Sequence, residues 1–212
     1  MLYQGVLFRR FWLLALFRGI EAAGFSPVTS SKVHALVYLA NALATTYGIT
    51  PLDPILLKIE KGPLYPQFFW ELERLVGMRL LSVHALEYAT INDIDSAEYS
   101  LTKQGAELVE NVFHSVPELR KVAQAQKSIA LAYSRNPSSG LSQNLLKRDG
   151  NYGDTDIGEG EIVDFGEWTF VNSTKDAVSY LQSRIIEHYP HRTDPAIAVN
   201  YYAQYLSEAS HA

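Results

Sequence analysis

The sequence contains no cysteine, which excludes several classes of protein. A disulfide scaffold, a cysteine nucleophile, a thiolate zinc site and a cysteine-ligated iron–sulfur cluster all need a thiol. The sequence also lacks an apolar run near the roughly 18 residues that a membrane span requires. The longest early run, 11–17, lies between Arg10 and Arg18, and no small-residue cleavage site follows it. We therefore expect no signal peptide, no membrane association and a cytoplasmic location.

Signatures of catalysis are missing as well. The sequence has no phosphate-binding loop of the Gly-x-x-x-x-Gly-Lys type, no His-Glu-x-x-His zinc motif and no nucleophile elbow. The acidic stretch from Asp154 starts like a calcium-binding loop, but Glu159 stands where glycine is required and Phe165 where a bidentate glutamate is required. We expect a protein that is not an enzyme and that holds no metal or cofactor.

Charge is distributed unevenly along a chain whose overall balance is ordinary. The 212 residues carry a formal net charge of −5, with 47% hydrophobic and 19% charged residues, as in a globular protein. Residues 116–148 hold six bases and one acid, whereas 149–167 hold seven acids and no base. A net negative charge argues against a protein that coats nucleic acid by bulk charge, so any phosphate contact has to be local.

Apolar spacing predicts a mainly α-helical chain of the α+β class. The first half is expected to begin with three helices, over 6–23, from Ser30 or Ser31 to about Tyr47, and from Asp53 to Ile59. A fourth helix follows from Pro66 to Gly77. Two strands, over 79–88 and 98–101, and a helix that Thr102 caps complete this half. This is the order of a winged helix-turn-helix with flanking helices. We expect a winged-helix-like domain over 1–115 and a C-terminal helical region over 116–212, with an acidic loop at about 136–167.

The predicted N-terminal helix has apolar residues in every direction around its axis and no polar face. Such a helix must be covered on all sides. Part of that cover is expected to come from another subunit, which makes Phe8, Phe11 and Trp12 candidate interface residues.

Residues 66–78 occupy the position of a recognition helix. Its exposed face is expected to carry five residues: Gln67, Trp70, Glu71, Glu73 and Arg74. Two acids against one base suit DNA phosphates poorly, and an exposed tryptophan is typical of a protein–protein anchor. We therefore assign Trp70, Glu71 and Arg74 to a partner interface. DNA reading by this helix, and packing of Trp70 within the chain, remain alternatives.

A further helix is predicted from Pro117 to about Arg135. Arg120, Lys127 and Arg135 lie opposite its apolar stripe and are candidate contacts for phosphate, including DNA, or for an acidic partner surface. The alternative is that these bases pair with the acidic segment 149–167 of the same chain.

Three stretches of the first half resemble a known family. They are Phe17 to Leu43, the turn and helix Gly62-Pro63-Leu64-Tyr65-Pro66 with Trp70 to Met78, and the wing motif Tyr99-Ser100-Leu101-Thr102-Lys103-Gln104-Gly105. Together they are similar to the middle components of bacterial ABC three-component systems, which include Lamassu-type anti-phage and anti-plasmid defence. The resemblance covers about residues 10–115.

The resemblance implies a non-catalytic accessory subunit that sits on an SMC-like ATPase and helps to hold or license an effector, often a nuclease. DNA is expected to be reached through the complex. The resemblance assigns no catalytic residue in this sequence. The alternative function is a winged-helix transcriptional regulator that binds DNA as a dimer.

Overall fold

The computed structural model describes residues 5–86, 97–134, 146–166 and 171–208. The helices are α1 (Val6–Ala22), α2 (Ser30–Ala42), α3 (Pro66–Gly77), α4 (Lys103–Ser115), α5 (Leu119–Ser134), α6 (Ser173–His188) and α7 (Pro195–Glu208), with a 3-10 turn over Ala44–Tyr47. The strands are β1 (Val28–Thr29), β2 (Ile55–Ile59), β3 (Gly62–Leu64), β4 (Leu81–Leu86), β5 (Ala97–Leu101) and β6 (Ile162–Asp164).

The chain is mainly helical with small antiparallel sheets, and the predicted α+β class is confirmed. No helix in the described ranges is long and apolar enough to cross a bilayer.

The strands of the described residues form two small antiparallel sheets. One has the strand order β1-β5-β4, with Val28 opposite Tyr99 and Leu81 opposite Leu101. The other has the order β3-β2-β6 and pairs Leu56 with Val163. Since β6 lies in the acidic segment, the second sheet joins that segment to the N-terminal half.

One predicted helix is wrong. The stretch Asp53 to Ile59 forms strand β2 rather than a helix, because β3 and β6 pair with it on both sides and its Asp53 carboxylate accepts from the Ile55 amide (3.2 Å) instead of capping a helix. Helix α2 begins at Ser30, as predicted, with Thr29 as its N-cap and no side-chain capping bond. The sequence also predicts a short strand from Trp168 to Val171, but all of it except Val171 lies outside the described residues.

From Phe11 to Ile20 the apolar residues of helix α1 are covered by its own chain, whereas Val6 and Leu7 in its first turn are exposed. The helix packs against α5, α4, β5 and α3, and its residues from Phe11 to Phe17 are buried. Trp12 is 3% exposed, with its ring 6.0 Å from that of Phe68, and the Phe11 ring lies edge-on to Phe113 at 5.5 Å. Phe11 and Trp12 are therefore internal, which corrects their assignment to a partner interface. Phe8 is half-buried.

The main hydrophobic cluster runs across the boundary expected at 115 and 116. It includes Trp12 and Phe68 from the first half, Ile129 from α5 and Ala198 from α7. Helix α5 lies between α1 and α7 and contacts both, and the Gln126 side-chain amide donates to the Trp12 carbonyl at 2.9 Å. The two expected regions thus share one core.

The motif Leu-Thr-x-x-Gly at 101–105 has a clear physical basis. The Thr102 hydroxyl accepts from the Gly105 amide (3.0 Å) and donates to the Arg79 carbonyl (2.8 Å), so it caps α4 and ties it to the start of β4, as predicted. A Cβ on Gly105 would overlap the Leu80 carbonyl oxygen. The glycine is required because backbone meets backbone there.

The acidic segment is anchored by one buried carboxylate. Asp149 is 1% exposed and accepts from three hydroxyls, those of Tyr38 in α2, Thr174 in α6 and Tyr202 in α7. The amides of Asn151 and Tyr152 donate to it as well, each at 3.1 Å. Among the described residues no cation pairs with Asp149, so dipoles alone replace the water it has lost.

The same contacts keep the neighbouring hydroxyls protonated. Burial, and then the negative charge of Asp149, raise the pKa of Tyr38 well above its ordinary value. The hydroxyl is therefore protonated at physiological pH and can donate to Asp149. One carboxylate thus links α2, α6 and α7.

We expect Gly105→Ala to destabilise the protein by about 1–3 kcal/mol, because the new methyl group overlaps backbone. Helix propensity alone would favour alanine by about 1 kcal/mol, so the sign is diagnostic. Urea unfolding measures it. Gly77→Ala in α3 is the control, since nothing lies within 4 Å of its Cβ position; equal stability changes in the two variants would contradict the packing described.

We expect Asp149→Ala to lower the free energy of unfolding by about 3 kcal/mol or more, because it leaves three buried hydroxyls without their acceptor. Asp156→Ala, an exposed carboxylate of the same segment, should change it by less than about 0.5 kcal/mol. Chemical denaturation of both variants checks this. A loss at Asp149 no greater than that at Asp156 would show that the network adds nothing to stability.

Candidate protein-docking surface on helix α3

Helix α3 is seated by the Gly-Pro-Leu-Tyr-Pro turn that precedes it. Gly62 has φ +128°, a backbone conformation that glycine adopts without strain. Tyr65 is buried with its ring edge-on to that of Phe68, and Pro66 occupies the first turn of the helix. The turn therefore fixes where α3 begins and which of its faces points inward.

A buried histidine of α2 contacts the same turn. His34 of α2 stacks its ring against that of Tyr65, with centroids 6.5 Å apart, and its Nδ1 accepts from the Tyr65 amide at 3.3 Å. Accepting at Nδ1 places the proton of the neutral ring on Nε2, which has no partner among the described residues. Burial lowers the pKa of His34 to about 4, so the ring is neutral at physiological pH.

The outer face of α3 presents a large aromatic side chain to solvent. Trp70 is 62% exposed, and Gln67, Glu73 and Arg74 are exposed around it, as the sequence predicts. Isolated exposed apolar residues are ordinary, but tryptophan and arginine together are the residues enriched at the centres of protein interfaces.

Glu71 does not belong to this face, which corrects the prediction made for it. Its side chain is 2% exposed and lies between two guanidinium groups, accepting from Arg10 Nε and Arg74 Nη1 at 2.7 Å each. Burial opposes its ionisation, but the hydrogen bonds from Arg10 and Arg74 outweigh that effect and lower the pKa of Glu71. The sequence predicted a repulsive charge on the surface, whereas the structure has a buried carboxylate that orders two arginines.

The pairing extends the exposed surface from α3 to α1. Arg10 also places Nη1 4.0 Å from Met78 Sδ, and Met78 is 46% exposed. We define the α3 surface as Trp70, Arg74, Met78 and Arg10. Methionine adapts its shape to a partner and arginine forms directional hydrogen bonds, so the surface combines an anchor with orienting groups.

Two of the three predicted phosphate contacts lie elsewhere in the fold. Arg120 and Lys127 are exposed on α5 and line a groove between α1, α4 and α5. Arg135 lies outside the described residues. Within the described ranges, neither Arg120 nor Lys127 forms an ion pair with the acidic segment; Lys58 holds that segment instead, donating to the Asp154 and Ile157 carbonyls at 2.8 Å each.

Sequence reasoning missed the residues that make these sites rigid. The acidic run that contains Asp149 gives no sign of its burial, and the sequence does not indicate the role of Arg10, because its partner Glu71 is 61 residues away in the chain. His34 carried a usable signal, since a polar ring in an otherwise apolar helix needs a specific partner. Across the described residues, no group of three or more histidine, aspartate or glutamate side chains is placed to hold a metal ion.

A scan against protein-family models found no match, and searches of curated proteins and of solved structures found none either.

The buried histidine makes stability depend on pH. The unfolded chain takes up a proton at His34 near pH 6.5, whereas the folded chain does so only near pH 4, so the free energy of unfolding falls as the pH drops through this window. Between pH 7 and pH 5 we expect the free energy of unfolding of the wild type to fall by about 2 kcal/mol more than that of the variant His34→Asn. Asparagine is chosen because it keeps an acceptor for the Tyr65 amide. Denaturant melts at both pH values test this, and parallel losses would refute the assignment.

Proposed function

We propose that this chain is a non-catalytic accessory subunit of an SMC-like ATPase defence complex, and that it docks a partner subunit through the α3 surface. The partners are the ATPase and an effector, in which a nuclease activity is expected. The location proposed is the cytoplasm. Two independent lines support this: the resemblance of residues 10–115 to such subunits, and the physical character of the α3 surface.

The arrangement of elements supports a winged-helix architecture for the first part of the chain. The order α1, β1, α2, α3, β4, β5 with the sheet order β1-β5-β4 matches that of winged helices, in which α3 holds the recognition position. The chain departs from a tight helix-turn-helix between α2 and α3, where residues 43–65 include the β2–β3 hairpin.

The exposed Trp70 is the observation that carries the proposal. Burying a large aromatic side chain against a partner contributes about 1.5–3 kcal/mol, and here nothing in the described chain covers most of the ring. The Glu71 carboxylate accepts hydrogen bonds from both Arg10 and Arg74, so the two arginine side chains of the surface are ordered before a partner binds. A pre-ordered surface loses less conformational entropy on binding.

The second candidate is a winged-helix transcriptional regulator. It is favoured by the burial of Glu71, since the exposed face of α3 then carries Glu73 against Arg74 rather than an excess of acid. Gln67 and Arg74 are residue types that read base edges. A bulky tryptophan between them favours the docking function instead.

Co-expression with the products of neighbouring ATPase and effector genes tests the proposal. We expect the three proteins to co-purify and Trp70→Ala to weaken assembly by about 2 kcal/mol or more, roughly 30-fold in Kd, as for an interface anchor. The melting temperature of the isolated subunit should not change, because the ring is already mostly in water.

Tyr180→Ala is the matched control, since Tyr180 is an aromatic residue of similar exposure (66%) on α6. If both variants assemble like the wild type, the α3 surface is not the docking site. If the chain ignores both neighbours but binds its own promoter with sequence specificity, the regulator replaces the accessory subunit.

A further inference from the structure

The groove between α1, α4 and α5 collects positive charge in an otherwise acidic protein. It has a volume of about 520 Å³ and is lined on its polar side by Arg18, Glu110, His114, Arg120 and Lys127. Its apolar side consists largely of small residues, among them Ala15, Gly19 and Ala123. Small residues at the base of a groove let an extended ligand approach the backbone closely.

The crossing of two helices shapes the groove. A Cβ on Gly19 would lie only 3.1 Å from the Lys127 Cα, so α1 and α5 meet nearly backbone to backbone at this point. The close approach brings Arg18 of α1 to the same groove as Lys127 of α5. The described part of the acidic segment is held elsewhere, by Lys58, and contributes no residue to the lining of the groove.

Not every cation in the groove is free to bind an anion. Arg18 is paired with Glu21 (2.7 Å) and Glu110 (3.0 Å), so its charge is already compensated. Arg120 donates through Nε to the Phe113 carbonyl at 2.9 Å, which fixes the guanidinium without neutralising it. Lys127 has no hydrogen-bond or ion-pair partner in the described part of the chain. Two uncompensated positive charges therefore remain.

These two charges lie on one helix, two turns apart. Seven residues at 1.5 Å each separate Arg120 from Lys127 by about 10.5 Å along α5. At that separation the two groups can contact different phosphates of one strand, and a strand offers such a series where a single small anion does not. Arg120 contributes fixed directional donors, and Lys127 a mobile point charge.

We propose that this groove binds the sugar-phosphate backbone of a nucleic acid strand through Arg120 and Lys127. The contact positions the strand and reads no sequence, because its charged groups meet phosphates rather than base edges. The site is separate from the α3 surface and does not depend on the proposed docking function. It lies on the α1, α4 and α5 helices rather than on the recognition-helix position of a winged helix.

Salt dependence of binding by the isolated full-length chain tests the proposal. A fluorescein-labelled DNA duplex and one of its single strands are the probes, and fluorescence anisotropy gives Kd over a range of KCl. We expect Arg120→Gln with Lys127→Gln to flatten the log–log slope by about 1.8 for the duplex and about 1.4 for the single strand. The probe that shows its expected change identifies which form of nucleic acid the groove takes.

Lys127→Gln alone keeps the test valid if loss of the Arg120 bond to Phe113 disturbs folding. It should flatten the duplex slope by about 0.9. Lys32→Gln with Lys121→Gln is the matched control, because both lysines are exposed and neither lines the groove. Trp70→Ala should leave the slope unchanged, which separates this test from that of the docking function.

Three results would overturn the proposal. The first is absence of DNA binding by the wild type, and the second is an equal slope for the groove variant and the wild type. The third is a flattening of the slope in the control pair as large as that in the groove variant. Competition by polyglutamate as strong as that by unlabelled DNA would also overturn it, because the groove would then be a site for acidic peptide.

Discussion

A helix without a polar face determines much of how this protein is built. Helix α1 buries its residues from Phe11 to Phe17, and such a helix is stable in water only when neighbours enclose it. The chain supplies α5 on one side, α4 and β5 on others, and α3 near its start. Since these neighbours come from both halves of the sequence, enclosing α1 is what joins the halves into one core.

The surfaces proposed to be functional are the edges of that enclosure. Where α3 meets α1, the buried Glu71 carboxylate pairs with Arg10 and with Arg74, and so orders both arginines near the exposed Trp70. Where α5 crosses α1, close packing at Gly19 leaves a groove with two uncompensated cations on its rim. Both sites stand on helices that the core fixes in place, which is what a binding surface needs if its side chains are to be ordered in advance.

Local signals in the sequence were sufficient for much of the fold. Pro66 marks the first turn of α3 and Thr102 caps α4, because each acts on a backbone group within a few residues. The helix predicted over 53–59 is wrong because β6, about a hundred residues later, is one of the two strands that pair with 55–59. Propensity over five residues carries no information about so distant a strand.

The candidate sites were predictable only in part, for the same reason. Exposure of Trp70 and Lys127 follows from helical periodicity, since each lies opposite an apolar stripe. The burial of Glu71 and Asp149 does not, because a carboxylate enters a core only where distant donors meet it. Helical periodicity therefore gave the wrong environment for Glu71, and the charge count of 149–167 gave no indication that Asp149 is buried.

Hydrogen exchange of the isolated chain tests most directly whether α1 is enclosed without a partner. The amides of Leu13 to Phe17 should exchange only through global unfolding, with an opening free energy equal to that from denaturant melts. Amides of α5 and α7 that face the shared core should give the same value. Opening of α1 well below the global free energy would contradict the account, because it would show that another subunit has to complete the core.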